Sequence, residues 1–192
     1  GSINQIIGDN NNDFLKFEHI VNQNNDWIFG FLTYDLKNEL EDLNSKNLDN
    51  LDFASLHFFI PELIILSKNE TVTVHYLKEQ KSELEIQQII DELKKLNPEK
   101  DSNNKLNVKI ESRFTQQEYI NTVEDLKKHI QRGDIYEANF CQEFFCNTSI
   151  NPSSVYLKLK EVSPTPFSCF YKIEDKYLLS ASPERFMKKV KK

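Results

Sequence analysis

Two Ser/Thr-x-x-Glu boxes, Ser82 to Glu85 and Thr115 to Glu118, constrain the architecture of this chain more than any other local signal. In such a box the hydroxyl accepts the backbone N–H three residues on, and the carboxylate reaches back to the N–H of the capping residue. Two otherwise orphaned donors are satisfied together, so the helix start is fixed. Behind the first box Ile86, Ile89, Ile90, Leu93 and Leu96 recur at helical spacing, and Asn97-Pro98 ends the run. Behind the second, Tyr119, Ile120, Val123, Leu126 and Ile130 form one face, and Gly133 stands where a left-handed C-terminal cap belongs. A third helix is expected from Asn151-Pro152, with proline at the first helical position, through Tyr156, Leu159 and Val162.

Between and around these helices the chain reads as strands. Trp27 to Tyr34 is aromatic and β-prone, and Asp35 to Leu43 is a charged short helix or turn. Leu56 to Leu66 and Thr71 to Leu77 are two strands joined through Ser67 to Glu70, with Pro61 marking an edge or a bulge. Residues 3–25, rich in Asn and Asp, read as loops around one short helix, Phe14 to Val21. Further on, 135–146 reads as a strand, followed by a hairpin of Phe167 to Ile173 and Tyr177 to Ser182 turning at Glu174-Asp175. Strands in hairpins with helices interspersed define an α+β fold with mainly antiparallel sheets and flanking helices. The expected organisation is a Gly1-Ser2 cloning scar, a first subdomain over 3–100, a polar linker over 101–110 and a second domain over 111–192.

Composition excludes several functions. Apolar residues make up 39% and aromatics 11%, with 14 Phe and 7 Tyr, enough for a packed core. A net charge of −6 is the wrong sign for a nucleic-acid or anionic-membrane binder, and the one dense basic run is Lys188, Lys189, Lys191 and Lys192. Only 4 of 192 residues are Gly. Loops that wrap backbone around anions need Gly, so a backbone-built anion site is not expected. Cys141, Cys146 and Cys169 are odd in number and lack CxxC spacing, which reads as reduced thiols in a cytoplasmic protein. No apolar stretch approaches membrane-spanning length and no signal peptide is visible.

Local chemistry motifs are few. His19, His57, His75 and His129 show no i, i+4 pairing and no accompanying carboxylate cluster, although His57 and His75 are expected in neighbouring strands. No GxSxG, P-loop or GxGxxG is present. Ser182-Pro183-Glu184-Arg185 reads as a catalytic Ser or Glu beside an Arg, or as a strand end whose charged pair braces a turn; the second is the simpler reading.

Three signatures in order carry a family resemblance: Gly133-Asp134-Ile135-Tyr136-Glu137-Ala138-Asn139-Phe140, then Ser163-Pro164-Thr165-Pro166-Phe167, then Ser180-Ala181-Ser182-Pro183-Glu184-Arg185-Phe186. At this spacing they resemble the chorismate-utilising synthases, which make anthranilate, aminodeoxychorismate, isochorismate or salicylate. Upstream, FGFLTYDLKNELEDL (29–43), Asn47 and FFIPELII (58–65) resemble the amino-terminal half of the same enzymes. The second signature, ending Pro166-Phe167-Ser168, is closest to aminodeoxychorismate synthase component I, whereas anthranilate synthases tend to carry Tyr-Met there. Glu137 departs from the Gln found in many members.

The resemblance implies a partial anthranilate/aminodeoxychorismate synthase-like fold. It also implies a parent large subunit that aminates chorismate with ammonia on the path to 4-aminobenzoate and folate. Mg²⁺ and a glutaminase subunit would assist that parent. The metal-binding glutamates, a Pro-Ile-Lys-Gly-Thr segment and Gly-rich substrate loops follow the third signature in the family. No catalytic or metal-binding residue therefore carries over, and the stretch by itself is expected to be inactive and, with strand edges open, to self-associate. Pro166, Phe167 and Ser168 match the family's effector pocket, which holds tryptophan. The alternatives are an anthranilate or isochorismate synthase fragment, or a non-catalytic module binding tryptophan or a partner.

Overall fold

The computed structural model describes residues 2–96 and 108–188. The expected linker lies mostly outside them. The chain divides into two compact units, 1–98 and 99–192.

The first unit is built on a three-stranded antiparallel sheet of order β1-β3-β2, with β1 at Ser2–Ile7, β2 at Phe29–Leu32 and β3 at Leu56–Pro61. The central strand carries the core. Leu56 is 0% exposed and Ile60 is buried with it, joined by Ile20, Leu36 and Ile86 from helical segments. Phe17 and Phe58 pack with ring centroids 4.5 Å apart, and Phe31 meets Phe53 edge-on at 5.7 Å. Gly30 lies opposite Phe58, and a Cβ there would stand 2.1 Å from the carbonyl oxygen of His57, so the close approach of β2 to β3 requires glycine.

Helix α1 runs Asp13–Gln23, and Asn12 before it offers no side-chain cap. The cap comes from far away in sequence: Glu39, at the end of a 3₁₀ helix Tyr34–Glu39, accepts the N–H groups of Asp13 (2.8 Å) and Phe14 (3.2 Å). A carboxylate placed there satisfies orphan donors and meets the positive end of the helix.

After β3 the chain turns at Pro61 and Glu62 into a separate hairpin, β4 (Leu63–Lys68) and β5 (Thr71–Tyr76). The single strand expected over 56–66 is thus two strands in two sheets, because proline supplies no N–H to continue a ladder. His57 and His75 consequently belong to different sheets and are not strand neighbours. Helix α2, Glu83–Lys95, starts at the predicted Ser82 box with both reciprocal bonds formed.

In the second unit, α3 (Gln116–Arg132) starts at the predicted Thr115 box and ends at Gly133 with φ 83°. The residues expected as a strand over 135–146 are largely irregular. Only β7, Phe144–Phe145, pairs with a two-residue β6, Glu111–Ser112, since no longer partner strand faces them among the described residues. The junction is held by side chains: Arg113 Nε donates to Glu143 Oε2 at 2.6 Å, and its guanidinium lies 3.9 Å from the Phe145 ring centre. Helix α4, Pro152–Val162, capped by Asn151, packs on the hairpin of β8 (Phe167–Ile173) and β9 (Lys176–Ser182) through Tyr156 against Phe170 at 5.4 Å. The expected α+β architecture with antiparallel sheets is present.

Candidate functional site

The β8–β9 hairpin brings the second and third signatures to one place. Its register sets Phe167 opposite Ser182 and Ser168 opposite Ala181. Glu174 accepts a left-handed conformation, φ 51°, at the tight turn of the far end. At the open end, the Arg185 guanidinium sits 5.1 Å from the Phe167 ring centre, a cation–π contact joining the two motifs. The third signature ends on its own brace, with the Ser182 hydroxyl donating to the Glu184 carbonyl at 3.0 Å.

Pro166, Phe167 and Ser168 stand at that open end. Pro166 is exposed, Phe167 is 37% exposed and Ser168 is half-buried. The Ser168 hydroxyl donates to the Thr165 carbonyl at 3.0 Å, and Thr165 Oγ1 lies 3.0 Å from Ser168 Oγ. Its one proton is therefore committed internally, and toward any ligand Ser168 can only accept. Partial burial pushes the Cys169 thiol above its ordinary value. Burial, with a contribution from Cys169, pushes Tyr171 up to about 12.

The first signature lies at the end of α3. Gly133 caps the helix, and Asp134 Oδ2 receives His129 Nδ1 at 2.7 Å and Arg132 Nη2 at 2.8 Å. Phe140 packs on Phe114 and Tyr119, with centroids 5.6 and 5.1 Å apart, whereas Tyr136 is 92% exposed.

A buried ionic node in the first unit escaped the sequence reading. Asp13 is fully buried and accepts hydrogen bonds from the Ser55 hydroxyl, the Asn10 N–H (3.0 Å), the Asp9 N–H (3.3 Å) and Lys16 Nζ (2.9 Å). Burial pushes its carboxyl up, but the Lys16 ammonium, the Ser55 hydroxyl and the two N–H groups outweigh it and hold the carboxyl at about 2. Lys16 also reaches Asp9, and both carboxylates raise its ammonium above the usual lysine value. Gly8 closes the node, since a Cβ there would lie 2.0 Å from Ser55 Oγ. The acidic pair thus already carries an internal cation. Among the described residues no group of three or more His, Cys, Asp or Glu could hold a metal ion. The described cysteines are unpaired, and no described helix is long and apolar enough to cross a membrane.

This arrangement of hairpins and capped helices has a counterpart among solved structures. Anthranilate synthase component I from Streptococcus pneumoniae TIGR4 superposes with a TM-score of 0.78, covering 96% of this chain and 49% of that one at 20% identity, a likeness of fold. The profile of the chorismate binding enzyme family matches residues 4–192, and the chain belongs to that family. In Bacillus subtilis strain 168, aminodeoxychorismate synthase component 1 is 25% identical over 181 residues, covering 83% of this chain and 36% of the relative. Anthranilate synthase component 1 of the same organism is 24% identical over 181 residues, covering 82% and 35%. The chain spans about a third of the length of these curated relatives.

Proposed function

We propose that this chain is part of the large subunit of an aminodeoxychorismate synthase, which aminates chorismate with ammonia on the way to 4-aminobenzoate and folate. The observation that carries the product assignment is the second signature, Pro164-Thr165-Pro166-Phe167-Ser168, where a phenylalanine opens β8. Anthranilate synthase is the competing reading, favoured by the near-equal identity to the two B. subtilis enzymes.

In this reading the residues described here supply the scaffold. Chorismate, Mg²⁺ and a glutaminase subunit delivering ammonia engage the parent protein in the cytoplasm, and the metal's role there is to offset substrate carboxylate charge and help the hydroxyl leave. Pro166, Phe167 and Ser168 frame an effector pocket for an amino acid of the tryptophan type, with Phe167 as an apolar wall and Ser168 as acceptor. Two measurements test this. The 192-residue chain, given ammonia, chorismate and Mg²⁺, should show no turnover, and any turnover contradicts its assignment as scaffold. The complete protein carrying this sequence should release 4-amino-4-deoxychorismate under the same conditions, and anthranilate as product would overturn the subgroup.

A further inference from the structure

Where the chain crosses from the first sheet to the β4–β5 hairpin, both ladders stop at once. The β2–β3 pairing ends with Phe29 opposite Phe59, and continuing that register would set Trp27 opposite Pro61, which has no N–H to give. The β4–β5 pairing ends with Leu63 opposite Tyr76, beyond which only a long Leu77 N–H to Glu62 carbonyl contact of 3.4 Å remains. Between these two ladder ends lies a half-open cavity of about 220 Å³, lined by Asp26, Trp27, Pro61, Glu62, His75 and Tyr76, among others. It is smaller than the ~300–1,000 Å³ typical of drug-sized sites, so it suits a small molecule.

Its lining has a definite chemistry. Trp27, the only tryptophan in the chain, is 52% exposed, although a large aromatic surface is costly to leave in water. Its backbone N–H donates to Asp26 Oδ1 at 2.7 Å, which holds that carboxylate, and both residues line the cavity. Tyr76 supplies a second ring to the lining, and Glu62 a second carboxylate. Lys81 pairs with Glu62 at 3.4 Å, so the charges of Asp26, Glu62 and Lys81 sum to −1.

We infer that this cavity is a binding site for a small organic monocation with a flat apolar body, of the aralkylammonium class. Its ammonium is held by Asp26 and by cation–π attraction to the aromatic lining, and its body replaces water at the exposed indole. The inference stands independently of the chorismate reading and concerns the first unit alone.

Phenethylammonium chloride is the probe, with Trp27 fluorescence as readout on the 192-residue chain. Saturable quenching is expected, with affinity roughly fivefold or more above that of the neutral 2-phenylethanol or the anionic 3-phenylpropionate. A charge series sharpens the test: Asp26→Asn should weaken binding about fivefold, while Lys81→Gln, which makes the site more negative, should tighten it about two- to fivefold. Tightening is a result that a loosened fold does not produce. Calorimetry on Trp27→Phe should retain weaker binding of the same selectivity. Quenching that does not saturate, equal response to all three probes, or weaker binding by Lys81→Gln would overturn the proposal.

Discussion

In the first unit β3 is covered on both edges, by β1 and β2, and it buries Leu56, His57 and Ile60 along one short strand. In the second unit both strands of the β8–β9 hairpin have an open edge, and none of the residues described there is fully buried. Yet the second unit carries all three family signatures. The contrast separates two uses of sequence. Residues of the first unit are spent on closing a core and an ionic node, whereas those of the second cap a helix, set a hairpin register and line its open end. A signature can therefore identify a family while contributing little buried surface to the part of the fold in hand.

That difference is open to attack by mutation. Leu56→Ala should cost about 2–5 kcal/mol in denaturant unfolding of the first unit, as expected for a fully buried side chain with neighbours on every side. The matching change in the second unit, Phe170→Ala, removes a ring that is half-buried between Tyr156 and Tyr177 and should cost about 1 kcal/mol. Equal losses at the two sites would erase the distinction.

The buried node gives the first unit its own acid sensitivity. The Asp13 carboxyl is held at about 2 in the folded chain against an ordinary 3.8. A carboxyl depressed by folding contributes stability that is fully present above its unfolded value and is lost as pH falls through the folded one. About 2 kcal/mol should therefore disappear between roughly pH 4 and pH 2. Asp13→Asn should flatten that acid limb, and an unchanged limb would remove the node from the account. An effect as small as that of Phe170→Ala is expected at α3, where Thr115→Ala deletes one half of the capping box and should cost about 1 kcal/mol of helix stability, read by circular dichroism.

What could be seen in the sequence follows the range of the interactions involved. The Ser82 and Thr115 boxes, the Asn151-Pro152 start and the Gly133 stop are set within four residues, and each helix lies where those signals put it. The β8–β9 hairpin was equally local, with β-prone aromatic residues on both sides of the Glu174-Asp175 turn. Strand β1 was not legible: SINQII has no turn signal of its own, and it becomes a strand only because His57 to Pro61 lies alongside it. The cap of α1 by Glu39 spans 26 residues, and the Ser55–Asp13 bond spans 42, distances over which no pattern in one sequence speaks. The aromatic run at 135–146 failed as a strand for the converse reason, since β propensity without a partner of matching length is not a strand. The hairpin entry at Pro166, Phe167 and Ser168 was visible in the sequence as the start of a strand. The cavity beside Trp27 was not, because it arises where the β2–β3 ladder ends at Phe59 and the β4–β5 ladder ends at Leu63, on either side of Pro61.

The core and the signatures occupy different units, and these differ in stability. Native-state hydrogen exchange on the 192-residue chain tests this difference most directly. The amides of Leu56 to Ile60 should exchange most slowly of all, and those of α3 and the β8–β9 hairpin at least about tenfold faster. Protection of the hairpin equal to that of β3 would contradict it.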